Sequence, residues 1–155
     1  ATPHAAQTAT SRSSRGFGGY KKDIFSIWAA HKPAYVATVI GSEPLDLAKK
    51  IEQAKGLKGP KMILALSPCP TGWDFDPSES VATGQLAVKC GVWPLKEYID
   101  GKVVHTKIPK KRLNIEEYLK RQGRFSHLFE PVRNEALLEE LQREVDNYWK
   151  EIEDA

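Results

Sequence analysis

Cysteine is scarce in this sequence, and neither sign of charge is in strong excess. Cys69 and Cys90 are the two cysteines in 155 residues. That count is not the composition of a disulfide scaffold, and it points to a reducing compartment. Lys and Arg total 23 against 20 Asp and Glu, a formal charge of +3. The basic residues are spread along the chain, so this weak excess argues against a nucleic-acid partner. The one basic cluster, Lys107, Lys110, Lys111 and Arg112, reads as a solvated hairpin exit. No apolar run approaches a membrane span. The first residues lack a charged n-region and an apolar h-region, so no secretory signal is visible. The expectation is a cytoplasmic protein without a membrane partner. No internal repeat is apparent.

What is present is an alternation of helical and strand patterns. Residues 1–22, rich in Ala, Thr, Ser, Gly and Arg, read as a loop or connecting segment. Asp23 opens a helix to His31, with Ile24, Ile27 and Trp28 on one face. Tyr35-Val36-Ala37-Thr38-Val39-Ile40 reads as a strand buried on both faces. Ser42 or Glu43 caps a second helix with Pro44 in its first turn. Its apolar side is Leu45, Leu47, Ala48, Ile51 and Ala54, and Gly56 stops it. Met62 to Leu66 follows as a buried strand, completing a βαβ unit. Asp76-Pro77 opens a helix over Ser78 to Lys89, in which Val81, Leu86, Ala87 and Cys90 lean to one side. Asp100-Gly101 joins Leu95–Ile99 and Lys102–Ile108 in a hairpin.

A short helix is expected from Asn114 to Gln122, then a loop over 123–129. A last helix from about Asn134 to Glu153 carries a stripe of Leu137, Leu138, Leu141, Val145, Tyr148, Trp149 and Ile152. Such a stripe is expected to dock on its own domain. The fold class is α/β. The expected division is 1–22, an α/β part over 23–92, and a hairpin and helical extension over 93–155. Two parallel strands and a hairpin make a thin sheet for so many helices, which places further strands upstream of Ala1.

The chemically distinctive stretch is Ser67-Pro68-Cys69-Pro70-Thr71-Gly72-Trp73. It leaves the carboxyl end of the second parallel strand, the edge where open α/β sheets bind ligands. Two prolines fix φ on either side of the thiol and remove two backbone donors. Cys69 is open to three roles: nucleophile, zinc ligand or iron–sulphur ligand. A nucleophile needs a base, and no spacing singles out His4, His31, His105 or His127. A structural zinc site takes about four Cys or His ligands, and a cubane cluster about four thiolates. If Cys69 binds metal, its co-ligands lie on other sequence. Cys90, near a helix end, reads as packing. His127 reads as a satisfied structural histidine. Asp74 and Asp76 lie close enough to hold a metal, but a turn and cap role accounts for Asp76.

Ten short segments, in order, resemble one family. They are Ala1-Thr2-Pro3-His4, Lys21-Lys22-Asp23-Ile24, Ala30-His31, Tyr35-Val36-Ala37-Thr38, Pro44-Leu45-Asp46, Lys58-Gly59-Pro60, Pro68-Cys69-Pro70-Thr71-Gly72-Trp73, Leu86-Ala87-Val88, Gly91-Val92-Trp93-Pro94-Leu95 and Gln122-Gly123-Arg124-Phe125-Ser126-His127-Leu128. Together they resemble the C-terminal part of the β subunit of 2-oxoacid:ferredoxin oxidoreductases, the pyruvate synthase group.

The resemblance implies part of a thiamine diphosphate-binding fold with a mostly parallel sheet. It implies thiamine diphosphate, Mg²⁺ and a [4Fe–4S] cluster, all shared with sequence outside this chain. Cys69 is then the fourth cluster ligand, and the other three come from the N-terminal half of the subunit. The reaction implied is oxidative decarboxylation of a 2-oxoacid, pyruvate by default, with coenzyme A, electrons leaving to ferredoxin. Expected partners are the N-terminal half of the β subunit, the α, γ and δ subunits, and ferredoxin.

The family's Gly-Asp-Gly and Asn-Thr-Gly-Gly-Gln motifs would precede Ala1. The expectation is therefore a fragment, inactive alone, with no catalytic residue of its own. Thr2, Pro3 and His4 are assigned no contact. The alternative is a non-catalytic interaction module in which the C-terminal helix and hairpin contact other subunits and Cys69 is structural.

Overall fold

The structure is a computed structural model that describes residues 3–7, 18–19 and 22–154. Ala1, Thr2 and Lys21 of the motif segments, and most of the 1–22 connecting segment, lie outside the described residues.

Helix α1 spans Ile24–Ala30, and the Asp23 carboxylate accepts the Ser26 N–H at 3.1 Å as its N-cap. Its buried face is not the expected one. Phe25 is buried with Val36 and Tyr98, and Ala29 packs beside them, whereas Ile27 is 51% and Trp28 38% exposed. A seven-residue helix offers one narrow strip to the sheet, and the i, i+4 pair of Phe25 and Ala29 takes it.

Strand β1, Tyr35–Ile40, is buried at every position, as its composition predicts. Helix α2, Pro44–Gly56, has proline in its first turn. Its apolar side also differs from expectation. Leu45 is 80% exposed and Ile51 40% exposed, while Lys50 is 2% exposed. The Lys50 ammonium donates to the Thr38 carbonyl at 2.9 Å and to the Asp46 carboxylate at 2.7 Å. A lysine whose head reaches the strand backbone and an acid one turn away is satisfied inside, and its stem packs there as an apolar chain does.

Strand β2, Lys61–Leu66, pairs in parallel with β1 from Tyr35–Lys61 to Ile40–Leu66, the expected βαβ unit. Strands β3, Leu95–Ile99, and β4, Lys102–Lys107, form the hairpin. Asp100 and Gly101 have φ of 51° and 78°, the backbone such a two-residue turn demands. The sheet order is β2-β1-β3-β4, with β3 antiparallel to β1. The α/β class holds, but the mostly parallel sheet that the resemblance implied does not: the described strands make one parallel and two antiparallel pairs, because the Asp100-Gly101 hairpin supplies two of the four strands. Because β2 lies at the sheet edge, Met62, Ile63 and Leu64 are half-exposed and not buried as expected.

A one-turn helix α3, Pro70–Trp73, follows β2. A 3₁₀ turn, Pro77–Glu79, leads into α4, Ser80–Lys89, with Thr83, Gly84, Ala87 and Val88 buried and Val81 60% exposed. The expected helix over 114–122 shortens to α5, Glu116–Leu119. The expected loop after it is a 3₁₀ segment, Gly123–Leu128, with Arg124, Phe125 and Leu128 buried.

Helix α6, Glu135–Glu153, is capped by Asn134 and buries Leu138, Leu141 and Trp149. It docks on its own chain. Leu138 and Leu141 join Ala5, Ala6, Ala87, Cys90, Tyr118 and Phe125 in the largest apolar cluster. The Trp149 indole N–H donates to the Gly91 carbonyl at 3.0 Å. The basic cluster after the hairpin is partly paired, Lys107 with Glu43 at 2.8 Å and Arg112 with Glu153 at 2.6 Å.

Candidate functional site

The site is built where β2 ends. Cys69 is exposed and is the N-cap of α3, with extended backbone angles of φ −109° and ψ 104°. Its sulphur accepts the Gly72 N–H at 3.3 Å. A Cβ at residue 72 would stand 3.2 Å from that sulphur, so glycine keeps the approach to the thiol open. Asp74 ends the turn in the left-handed region at φ 60°.

Residues distant in sequence close the other side of the loop. The Gly123 N–H donates to the Asp74 carbonyl at 2.7 Å. A side chain at residue 123 would overlap the Asp74 carboxylate, so only glycine allows this approach. The next residue, Arg124, is 9% exposed. Its guanidinium carbon lies 3.9 Å from the Trp73 ring centroid. Its Nε donates to the Gln122 side-chain oxygen at 2.8 Å, and one Nη donates to the Tyr118 hydroxyl at 3.3 Å.

Burial pushes Arg124 below the usual guanidinium range, while Tyr118 and, more weakly, Cys69 favour its charged form. No ion pair among the described residues includes Arg124. Its guanidinium also faces the Phe125 ring at 5.0 Å. The arrangement therefore holds a buried positive charge among neutral partners, stacked on the Trp73 ring of the turn that Cys69 caps.

The other sequence candidates lie elsewhere. Cys90 is fully buried, its thiol donates to the Asn114 carbonyl at 3.3 Å, and burial pushes the thiol up to about 11. It is a packing residue, as expected. The Asp76 carboxylate accepts the Ser78 N–H at 2.8 Å, the cap role read from sequence. His31 caps the end of α1, 6.1 Å ring to ring from Trp28. His105 on β4 shares a 2.8 Å hydrogen bond with the Tyr148 hydroxyl. His127 is half-buried in the 3₁₀ segment that carries Arg124.

His4 Nδ1 lies 2.7 Å from Glu144, which ties residues 3–7 to α6. Among the described residues, the one group of three side chains with metal-ligand geometry is His4, Glu140 and Glu144, and it excludes Cys69. Among the described residues, no group of three ligand-bearing side chains includes Cys69. Sequence reasoning about single sites missed Arg124. Its signal was the Gln122-Gly123-Arg124-Phe125 motif, where a glycine precedes an arginine set among apolar residues.

A βαβ unit with a thiol-bearing loop at the carboxyl end of its second strand, joined to a hairpin and a long C-terminal helix, defines an α/β domain. No family model matches the chain. Curated relatives do. It is 40% identical to "Pyruvate synthase subunit PorB" of Methanocaldococcus jannaschii, over 96% of this chain and 49% of the relative. It is 41% identical to the PorB subunit of Methanothermobacter marburgensis, over 97% of this chain and 52% of the relative. It is 34% identical to "Ketoisovalerate oxidoreductase subunit VorB" of Pyrococcus furiosus, over 97% and 49%. The chain spans about half the length of the curated relatives it matches. The resemblance drawn from the motifs is borne out: the chain is homologous to the C-terminal part of PorB and VorB subunits.

Proposed function

We propose that this chain forms part of a 2-oxoacid:ferredoxin oxidoreductase of the pyruvate synthase type. The complex decarboxylates a 2-oxoacid oxidatively with coenzyme A and passes the electrons to ferredoxin. Cys69 is one of four thiolate ligands to a [4Fe–4S] cluster. The observation that carries this reading is an exposed thiol, fixed between prolines at a strand end, in a chain that spans half of PorB-type relatives and whose described residues form no three-ligand group around it.

The donor fits the group. A thiolate is the ligand such clusters use, and amide N–H bonds to the sulphurs are among the features that set their potential. Gly72 supplies one such N–H and leaves the sulphur accessible. When bound, the cluster supplies one-electron transfer. Thiamine diphosphate with Mg²⁺ supplies carbanion stabilisation at the 2-oxoacid carbon. Their remaining contacts belong to the N-terminal half of the subunit and to the α, γ and δ subunits. What this chain's residues do is hold Cys69 in place through Pro68, Pro70 and the α3 turn, and back that turn with Gly123 and Arg124.

Pyruvate is the substrate proposed, from the names of the PorB relatives. A branched-chain 2-oxoacid is the alternative raised by the VorB relative. The test is steady-state reduction of ferredoxin by the assembled complex, with coenzyme A and either pyruvate or 2-oxoisovalerate. Pyruvate should give the higher kcat/KM, and Cys69→Ala should lower ferredoxin reduction to background. Full activity of Cys69→Ala would favour the interaction-module reading, in which this thiol is structural.

A further inference from the structure

The feature of the loop that single-residue reading does not use is the charge on Arg124. It is 9% exposed, and no ion pair among the described residues includes it. Buried charges are ordinarily paired with an opposite charge. Its side-chain contacts among the described residues are the Trp73 face at 3.9 Å, the Phe125 ring at 5.0 Å, the Gln122 side chain at 2.8 Å and the Tyr118 hydroxyl at 3.3 Å. All four are neutral. They fix the position and plane of the guanidinium without cancelling its charge. Trp73 belongs to the one-turn helix that Cys69 caps, so the same turn holds the cation and the thiol. The backbone bond from Gly123 to Asp74 locks the two segments together.

We infer that Arg124 is the fixed counter-charge for an anionic group carried on Cys69. This rests on the reading of Cys69 as a cluster ligand. A cluster with four thiolate ligands is a net anion that gains one more negative charge on reduction. A positive charge held nearby in a poorly solvated position stabilises the reduced form more than the oxidised form. Arg124 therefore raises the reduction potential of the bound cluster. It is a tuning residue that acts through the field at the sulphur and touches neither substrate nor the reacting carbon. Lysine at this position would keep the charge and lose the planar fork that stacks on Trp73.

The test is an EPR-monitored redox titration, with iron analysis, of the assembled complex carrying wild-type chain, Arg124→Gln, Arg124→Lys or Cys69→Ala. The expected result for Arg124→Gln is full iron content and a cluster about ten-fold harder to reduce, a potential lower by 59 mV for a one-electron couple. Arg124→Lys should recover most of that shift. An unchanged potential in Arg124→Gln at full iron content overturns the inference and leaves the cluster reading standing. If Arg124→Gln loses iron, Arg124→Lys decides. Retained iron and potential with lysine support a charge role, and iron loss in both variants overturns it in favour of packing. If Cys69→Ala keeps its iron and its signal, the cluster reading fails and takes the inference with it.

Discussion

Two histidines and two cysteines show how far a side chain's surroundings, more than its type, decide its chemistry. Cys69 and Cys90 are the same residue, but one is exposed at a strand end and the other is sealed beneath Asn114. Burial pushes the Cys90 thiol up to about 11, so at neutral pH it is a protonated thiol packed in the core. His4 meets a carboxylate, whereas His105 meets the hydroxyl of Tyr148 and lies in the field of two lysines.

Burial, then the charges of Lys96 and Lys50, lowers His105 from its ordinary 6.5. The folded protein thus binds fewer protons at this site than the unfolded chain does. Stability from His105 is present above about pH 6.5 and is lost as pH falls through that value toward the lower folded one. Thermal melting at about pH 7.5 and about pH 5.5 should show a lower Tm at the acidic value, and His105→Gln should shrink the difference. An unchanged difference in the variant would assign the pH dependence to other groups.

At the scale of elements, regular patterns were legible and special contacts were not. Asp100-Gly101 announced the hairpin, because few residue pairs adopt positive φ twice in succession. The stripe on α6 announced a docked helix, because its apolar residues recur at the helical period. The faces of α1 and α2 were misread, because apolar residues outnumber the places the sheet can bury them. Phe25 and Lys50 won those places through contacts with β1 that no local pattern encodes.

Cys69 was legible as a handle from its prolines and strand end. Arg124 was not, because its stacking on Trp73 of the same turn joins segments far apart in the chain. The contact of α4 with α6 offers a direct check. Gly91 ends α4 at φ +77°, and a Cβ there would overlap the Trp149 indole. Gly91→Ala should cost more than about 1 kcal/mol, since alanine at positive φ is strained even without the overlap. Differential scanning calorimetry should show Tm lowered by at least about 2 °C, the shift that such a cost gives in a chain of this size. An unchanged Tm would mean that α6 is not seated on Gly91 as described.

At the scale of the molecule, the sheet is asymmetric. β1 is covered on both faces and paired on both edges, while β2 has one neighbour among the described strands. Its half-exposed Met62, Ile63 and Leu64 and the Cys69 loop lie together at that edge. Arg124 stacks on Trp73 of the turn that this loop enters. The chain's match to half the length of PorB and VorB relatives gives this asymmetry a reading: one wall of a site completed by other sequence.

The measurement that bears most directly on this is iron analysis of the assembled complex, with EPR of its dithionite-reduced state, comparing wild-type chain with Cys69→Ala. The account expects the substitution to remove one cluster's iron, about four atoms, together with its EPR signal, while the complex still assembles. Equal iron content and an identical spectrum in the two complexes would contradict it.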